Sequence, residues 1–411
     1  MPESGSQADT VIIAGLYRFP DINAAATRAL ALANLLESSG KRVILVGFSA
    51  DSASQLPVLN EKLSAKTGFD TYEIGATAKA KLMFKLSVHQ LKPLLSAAPS
   101  KATALVLYNS GSLALLSALL HRRRAGYHLI HEITEWYVGS TARWWHSVVR
   151  RADTFLRMRV LNRYCDGLIL SSQYLEQYYQ SRVANRFVLP GLIDSEKSVA
   201  QFGEKLASPS LDSEHVRFCY AGEAFNKLHI DKQKSNIKDR LEVVIDLFFL
   251  LYTERQNWQF DIYGVTKSDF LDVFPEREEK LKTLSNHVKF HGRVNRAVIL
   301  ECYVVAHFSI FFRHSTVSNM AGFPTKLAES MMYGCPVITN PVEHSTHWVV
   351  DGHNGLVLDP GSEQSMVQTI LDACDLPSHV VLRLKRDCQR TALLQAANYK
   401  AGLAGFMSKL V

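Results

Sequence analysis

The length and composition of the chain narrow its class. Its 411 residues predict two or three domains, because single domains usually hold fewer. Hydrophobic residues make up 47% and charged residues 21%, which is typical of a globular protein and excludes collagenous, disordered and membrane-spanning classes. The net charge of +7, from 46 basic and 39 acidic residues, fits a nucleic acid, a membrane surface or a phosphorylated small molecule as partner.

The start of the chain and the cysteines add two expectations. Residues 1–10 lack the basic and apolar regions of a secretory signal, so we expect a cytoplasmic protein. The longest apolar stretches, 113–120 and 247–252, are much shorter than the roughly 20 residues of a membrane crossing. The 6 cysteines are scattered without a paired metal-binding or redox motif, and we assign them no chemistry.

Apolar runs alternate with helical periodicities along the first half of the chain. The predicted elements are strand 10–15, helix 24–38, strand 43–47, strand 104–108, helix 113–124, strand 127–130, strand 167–171 and strand 187–189. This order is typical of a mostly parallel sheet with helices on both faces. Residues 194–214 are rich in Ser, Lys, Glu and Asp, and we interpret them as a linker.

The alternation restarts after the linker. The predicted elements are strand 217–221, helix 239–253, strand 259–263, helix 275–285, strand 288–290, helix 296–306, strand 308–312, helix 326–333, strand 336–339 and strand 355–358. The fold class is therefore α/β, with two doubly wound Rossmann-like domains and a ligand cleft where their strands' carboxyl ends face each other. We expect a flexible segment 1–9, a first domain 10–205, a second domain 206–390 and a final helix 391–411 that packs back on the first domain.

One segment of the second half is suited to binding. In Ala321-Gly-Phe-Pro-Thr-Lys-Leu-Ala-Glu-Ser330, a turn with glycine and proline feeds a helix whose first N–H groups suit an anion or sugar hydroxyls. Glu329 lies one turn into that helix, where its carboxylate can accept ribose hydroxyls. The alternative is that Glu329 is only a solvated acid, and the segment alone leaves both interpretations open.

The same residues carry a resemblance. Together with Gly334-Cys-Pro-Val-Ile and Asp351-Gly-His-Asn-Gly, the segment resembles the carboxyl-terminal signature of family-4 glycosyltransferases with the GT-B fold. The first half is similar too, in 17–28, 133–137 and 166–172. The resemblance implies a retaining enzyme that moves a sugar from a nucleotide donor, and it includes enzymes that build capsular, lipopolysaccharide and other surface polysaccharides.

The resemblance also implies the residues that meet the donor. Glu329 matches the second glutamate of the family's paired-glutamate motif, which contacts the ribose, whereas the first glutamate falls on Ala321. Lys326 or Arg313 is the candidate replacement for that missing contact. The other expected donor contacts are Asn23, Ala24, Gly222, Arg293, Val294, Gly322, Phe323 and Thr325.

Two further charged residues are candidates for catalysis. Lys238, just before the first helix of the second half, matches the lysine that grips the donor diphosphate in the family, with Lys227, Lys232, Lys234 and Arg240 as additional cations in the same loop. Glu135 follows the strand near the reacting centre, where a carboxylate can stabilise the transition state or orient the acceptor. The predicted catalytic set is Glu135, Lys238, Lys326 and Glu329. The alternatives are a solvated lysine-rich loop and a Glu135 that pairs with a nearby arginine.

We expect neither metal nor cofactor. His131-Glu-Ile-Thr-Glu135 lacks the second histidine of a zinc motif, and no Asp-x-Asp triplet is present to hold a divalent ion on the diphosphate.

The stretch 141–163 contains six arginines and one acid beside two tryptophans. Such a basic helix with aromatic flanks suits an anionic membrane, so Trp144, Trp145, Arg150 and Arg151 are candidates for membrane or acceptor contact. The alternatives are acids on another subunit as partners, or tryptophans buried in the core. No nucleic-acid-binding motif accompanies the charge.

The resemblance, taken with the missing metal motifs, implies a metal-independent, retaining glycosyltransferase. It would use a UDP- or GDP-linked sugar and a glycan or lipid-linked acceptor, in the cytoplasm or at the inner face of the membrane, for surface polysaccharide biosynthesis. The alternatives are a nucleotide-sugar epimerase of the same fold and a non-catalytic partner subunit.

Overall fold

A computed structural model describes residues 10–20, 24–49, 54–75, 88–98, 103–137, 144–191, 211, 214–225, 237–342, 347–391 and 397–410. They form two α/β domains, each built on one sheet. Most of the predicted linker 194–214, and the predicted segment 1–9, lie outside the described residues.

The first domain contains an eight-stranded sheet in the order β3-β4-β2-β1-β5-β6-β7-β8, in which only β3 is antiparallel to its neighbour. Its strands are β1 Thr10–Ala14, β2 Arg42–Ser49, β3 Val58–Leu59, β4 Asp70–Gly75, β5 Thr103–Tyr108, β6 His128–Ile133, β7 Gly167–Leu170 and β8 Arg186–Val188. Its helices are α1 Ala24–Glu37, α2 Glu61–Thr67, α3 Val88–Ala97, α4 Ser112–Ala125, α5 Trp144–Phe155 and α6 Gln173–Tyr179. A π-helical turn, Leu156–Val160, and a 3₁₀ turn, Leu161–Tyr164, continue α5.

The second domain contains a six-stranded parallel sheet in the order β11-β10-β9-β12-β13-β14. Its strands are β9 Val216–Ala221, β10 Trp258–Tyr263, β11 Val288–Gly292, β12 Phe308–Ile310, β13 Val337–Thr339 and β14 Gly355–Val357. Its helices are α7 Leu241–Glu254, α8 Lys267–Val273, α9 Glu278–Thr283, α10 Arg296–Val305, α11 Val317–Ala321, α12 Thr325–Met332, α13 Glu363–Asp375 and α14 Ser378–Arg390.

The last described helix, α15 Ala397–Ser408, returns to the first domain. It packs against α1 and β8, and its buried Leu403, Phe406 and Met407 join the same apolar cluster as Val11 of β1. Contact at β7 is close, since a Cβ at Gly167 would lie 2.6 Å from the Phe406 ring. A side chain at position 167 would therefore push this helix off the sheet.

The structure confirms the predicted fold class of two doubly wound domains. Both sheets are central layers with apolar side chains on each face, which is why their strands are nearly continuous apolar runs. Prediction missed the segment from β3 to α3, where the strand Asp70–Gly75 mixes polar with apolar residues and gives a weak signal. The predicted site residues follow strand carboxyl ends, and that edge positions the candidate site.

Candidate functional site

The two domains meet at the carboxyl ends of their strands. After β7, the hydroxyls of Ser171 and Ser172 donate to the Ala321 carbonyl at 2.8 and 3.1 Å. After β6, the Trp136 carbonyl accepts a hydrogen bond from the Ser318 hydroxyl at 2.6 Å. Ala321, which stands where the resemblance puts the first motif glutamate, is fully buried. Its backbone therefore joins the two domains, and its side chain does not face a ligand.

The residues around Ala321 continue this seam between the domains. A Cβ at Gly322 would lie 3.3 Å from the Thr134 carbonyl, and one at Gly191 would lie 2.6 Å from the Phe323 ring. Phe323 is half-buried, and Thr325 is exposed at the first position of α12, where no side chain caps the helix. The structure thus places the predicted donor contacts Gly322, Phe323 and Thr325 at the interdomain cleft.

A buried ion cluster lies behind this loop. Asp239 accepts from Arg313 Nε at 2.7 Å through Oδ1, and it binds Lys326 Nζ and the Tyr220 hydroxyl through Oδ2, the latter at 2.8 Å. Lys326 also donates to the Tyr220 hydroxyl at 2.9 Å and lies 4.1 Å from the centre of that ring. Asp239, Lys326 and the Arg313 side chain are at most 10% exposed. We call Asp239, Arg313 and Lys326 the cation cluster.

The cation cluster changes how α7 begins. Prediction started this helix at residue 239, but it begins at Leu241. Asp239 instead forms a bridge with Arg313, and the Arg240 N–H donates to the Phe312 carbonyl at 2.9 Å. These tertiary contacts keep the two residues out of the helix, which is why sequence periodicity misplaced its start.

Burial and charge act in opposite directions on the titrating members of the cluster. Burial disfavours the charged form of Asp239, but Lys326 and Arg313 together hold the pKa of Asp239 below its ordinary value. Burial lowers the pKa of Lys326 to about 8, although Asp239 opposes this shift. The cluster carries two cations against one carboxylate, so it has one positive charge in excess when Lys326 is protonated.

Gly222, at the end of β9, lies directly against this excess charge. A Cβ there would overlap Lys326 Nζ, and the residue has φ +153, which favours glycine. The loop after β9 can therefore approach Lys326 only with glycine at this position.

Lys238 and Glu135 face each other across the cleft. Lys238 Nζ lies 3.2 Å from Glu135 Oε1, with side chains 56% and 35% exposed. Burial raises the pKa of Glu135, but Lys238 and the Tyr137 hydroxyl outweigh burial and the net shift is downward. The structure thus brings together two of the predicted catalytic residues, and within the described residues the ion pair of Glu135 is with this lysine.

Glu329 of α12 is paired with Arg296, the first residue of α10. Arg296 Nη2 and Nε lie 3.0 and 3.2 Å from Glu329 Oε1. The neighbouring Arg293 is exposed and lies 3.2 Å from Glu223 Oε1, while Val294 is half-buried. Prediction missed Arg296, and the available signal was an arginine that opens a predicted helix directly after the expected donor contacts Arg293 and Val294.

Some predicted residues contribute less to this site. Asn23 lies outside the described residues, and Ala24 is the exposed first residue of α1.

His131 is fully buried, accepts a hydrogen bond from the Ser110 N–H at 3.1 Å and bonds Asn162 at 2.7 Å. Burial lowers the pKa of His131 to about 3, so it is neutral. Within the described ranges, no group of three His, Cys, Asp or Glu side chains is arranged to hold a metal ion.

Comparisons with known proteins agree with this geometry. Residues 234–392, less than half of the chain, match the family model described as glycosyl transferases group 1. No curated protein matches the chain significantly. HepE of Anabaena, solved in complex with UDP and glucose, is 13% identical with a TM-score of 0.63, over 97% of this chain and 99% of that one. The chain has the GT-B fold.

Two other GT-B structures support the same conclusion. Sucrose-phosphate synthase from Thermosynechococcus elongatus is 14% identical with a TM-score of 0.63, over 98% of each chain. A glycosyltransferase from Rickettsia africae is 10% identical with a TM-score of 0.64, over 98% of this chain and 99% of that one. At such identities the likeness establishes the fold, and the chemistry has to be argued from the site itself.

The first GT-B domain carries an exposed face that is basic and apolar. On α5 and the turns after it, Val148, Phe155 and Tyr164 are 56%, 56% and 61% exposed. Helix α4, which contacts the turns after α5, also has two exposed apolar side chains, Leu113 and Leu120, at 48% and 59%. The exposed arginines of these elements are Arg123, Arg124, Arg151, Arg159 and Arg163. We call it the arginine face.

The predicted membrane contacts fall on or beside this face. Arg150 is half-buried and lies 5.0 Å from the centre of the Tyr137 ring, whereas the side chains of Trp144 and Trp145 lie outside the described residues. In the described part of the chain, no helix has both the length and the apolar character that a bilayer crossing requires.

Removing the shared carboxylate should destabilise the second domain. Asp239→Asn leaves Lys326 and Arg313 buried together without their anion, and we expect a loss of about 3–5 kcal/mol in the free energy of unfolding. Urea unfolding followed by tryptophan fluorescence measures it. The control Asp375→Asn removes a 70% exposed carboxylate that pairs with Arg255 and should change stability by less than about 0.5 kcal/mol. A stable D239N protein would contradict the role of the cluster.

Proposed function

We propose that this protein is a glycosyltransferase that takes a sugar from a nucleotide-sugar donor. The observation that carries the proposal is the cation cluster beside Gly222 and the α12 amino terminus, at the cleft of a GT-B fold. The family match to glycosyl transferases group 1 covers the same domain. HepE, one of the similar structures, was solved in complex with UDP and glucose, which supports a UDP-linked donor. A GDP-linked donor stays the alternative.

The charges of the site suit a departing diphosphate. Lys326 is held rigidly by Asp239 and Tyr220 in a dry environment, where a fixed cation stabilises developing negative charge without reorganising. Lys238, next to Asp239 in the segment before α7, provides a second cation whose side chain is 56% exposed. These cations supply the positive charge that a bound metal supplies elsewhere, so we propose transfer without a metal.

The acceptor side of the proposal rests on the first domain. Glu135 points into the cleft from the end of β6 and can orient an acceptor hydroxyl or stabilise an oxocarbenium-like centre. Retention of configuration, a glycan or lipid-linked acceptor and a role in surface polysaccharide biosynthesis are proposed on the resemblance alone. Analysis of the anomeric product by NMR tests retention. Release of a free sugar nucleotide epimer without acceptor would favour the epimerase alternative.

Donor affinity should depend on the protonation of Lys326. Because the ordinary pKa of lysine is about 10.4 and burial lowers that of Lys326 to about 8, the ammonium loses its proton as pH rises through 8, and UDP affinity should fall there. The diphosphate of UDP is already ionised above pH 7, since the second pKa of a phosphate is near 6. Isothermal titration calorimetry with UDP and GDP from pH 7 to 8.5 measures the effect, below the pH at which the uracil and guanine bases lose a proton.

Two variants separate Lys326 from general effects of pH. The Lys326→Met variant should bind UDP at least about tenfold more weakly than the wild type at pH 7, a loss of about 1.4 kcal/mol in binding free energy. Its UDP affinity should not decline as the pH rises through 8. The Lys238→Met variant should also bind UDP more weakly than the wild type, but its UDP affinity should still decline near pH 8. Wild-type protein that binds neither nucleotide at any pH would refute the proposal.

Glu135 competes with the donor for Lys238. The Glu135 carboxylate pairs with the Lys238 ammonium, which the diphosphate also needs. Because an exposed ion pair contributes up to about 1 kcal/mol, removing it by Glu135→Gln should tighten UDP binding by up to about fivefold. The same change should slow transfer, which requires the carboxylate. Calorimetry and a UDP-release assay provide the two measurements, with Glu279→Gln, 84% exposed on α9, as control. Weaker UDP binding by E135Q would contradict the competition.

We further propose that the arginine face lies on an anionic membrane at the cytoplasmic side. Its exposed apolar side chains enter the headgroup region while its arginines attract anionic lipids, and each basic residue near such a surface contributes about 1 kcal/mol. This contact would bring the cleft near a lipid-linked acceptor.

Vesicle binding tests this surface. The protein should sediment with vesicles of phosphatidylcholine and phosphatidylglycerol but not with phosphatidylcholine alone, and less so in high salt. Replacing Arg151 and Arg159 by glutamate, or Phe155 by serine, should abolish sedimentation, while Leu56→Ser, 52% exposed elsewhere on the first domain, should not. Equal sedimentation of all variants would refute the assignment of this face.

A further inference from the structure

Arg157 is a buried arginine with one unoccupied edge. It lies in the π-helical turn Leu156–Val160 after α5 and is 1% exposed. Within the described residues, its Nε and Nη2 have no hydrogen-bond partner. These two nitrogens form the edge of a guanidinium that binds both oxygens of a carboxylate. Because a buried charge without a partner costs free energy, this edge is suited to an anion that arrives in another state of the site.

Tyr137 links Arg157 to Glu135. The Tyr137 ring centre lies 5.5 Å from Arg157 Cζ, and the Tyr137 hydroxyl donates a hydrogen bond to the Glu135 carboxylate. Burial raises the pKa of Glu135, whereas Lys238 first, then the Tyr137 hydroxyl and last Arg157 lower it. The ion pair of Glu135 in the described residues is with Lys238. The carboxylate therefore has one cation with which it is paired and a second, Arg157, with which it is not.

Binding of the donor would take the first of these cations away. In the proposed function the diphosphate needs the Lys238 ammonium, which is paired with Glu135. The Glu135 carboxylate, whose side chain is 35% exposed, would then face a second anion without a partner. Desolvation and repulsion both make that arrangement unfavourable. Arg157 has the unoccupied edge that such a carboxylate requires.

We propose that Arg157 is a positioning residue that binds the Glu135 carboxylate once the donor diphosphate occupies Lys238. The inference rests on the proposed function and deepens it, because it makes donor binding the event that sets the acceptor side of the cleft. Before the donor arrives, Glu135 is paired with Lys238 of the second domain. Afterwards Tyr137 and Arg157 hold it within the first domain, where the carboxylate can orient an acceptor hydroxyl.

A double-mutant cycle on UDP affinity tests this exchange of partners. Arg157→Met should weaken UDP binding at least about threefold by calorimetry, because releasing Lys238 then leaves the Glu135 carboxylate unpaired. In the Glu135→Gln background the same change should alter UDP affinity by less than about 1.5-fold, because no carboxylate needs Arg157 there. Arg157→Lys should lie between Arg157→Met and the wild type, since a lysine keeps the charge but lacks the two-nitrogen edge.

A second measurement needs no nucleotide. Lys238→Met leaves Glu135 without its ion pair, as the donor would, so Glu135 should pair with Arg157 in this variant. In the Lys238→Met background, Arg157→Met should therefore lower the urea midpoint of unfolding. In the wild-type background it should leave the midpoint unchanged or raise it, because an apolar side chain in place of a buried charge is often neutral or stabilising.

Arg182→Met is the matched control. Arg182 is exposed, its Cζ lies 4.2 Å from the centre of the Tyr178 ring, and it precedes β8, at the edge of the sheet opposite to the cleft. Its replacement should leave UDP affinity and the effect of Glu135→Gln unchanged. Thermal melting checks that each variant is folded, and Arg157→Lys carries the test if Arg157→Met is not.

The possible outcomes are distinct. If Arg157→Met weakens UDP binding equally with and without the Glu135 carboxylate, Arg157 only attracts the diphosphate or supports the fold, and the inference is overturned. Equal shifts of the urea midpoint in both backgrounds overturn it too. If the wild type binds neither UDP nor GDP while the midpoints respond to Lys238→Met as expected, the exchange of partners stands and the proposed function fails.

Discussion

The shared carboxylate of Asp239 is the interaction on which the candidate site depends. Burying the charged Lys326 ammonium costs free energy unless an anion lies beside it. Asp239 is that anion, and it also pairs with Arg313. The three residues come from the segment before α7, the end of β12 and the first turn of α12, so one carboxylate fixes three separate parts of the cleft wall. The net charge left over is the feature that a diphosphate requires.

The two domains contact each other through both polar and apolar groups. The hydroxyls of Ser171, Ser172 and Ser318 and the exposed pair of Lys238 and Glu135 cross the seam. Val317 and Ala321 of α11 pack with the apolar core of the first domain. The polar contacts contribute little individually and exchange readily with water or ligand, so they are the part of the seam that a nucleotide can displace at small cost in free energy.

Sequence reasoning predicted the sheets well because buried parallel strands are apolar runs that need no tertiary information. It also selected Lys326, Glu329, Lys238 and Glu135, which the structure places at the cleft. It missed Asp239 and Arg296, since their roles depend on partners 87 and 33 positions away in the chain. The available hints were local: an acid next to the predicted diphosphate lysine, and an arginine that opens the helix after the expected donor contacts Arg293 and Val294.

The return of α15 to the first domain has a consequence for biosynthesis. Leu403, Phe406, Met407 and Leu410 complete the apolar layer around β1 and α1, yet the ribosome synthesises them after the entire second domain. Domains usually fold in the order of translation. Here the first domain leaves the ribosome with α1 on this face of its sheet but without α15, and the part that α15 covers must stay soluble until residues 397–410 emerge. Nascent chains stalled before residue 397 should therefore be the species that recruits chaperones.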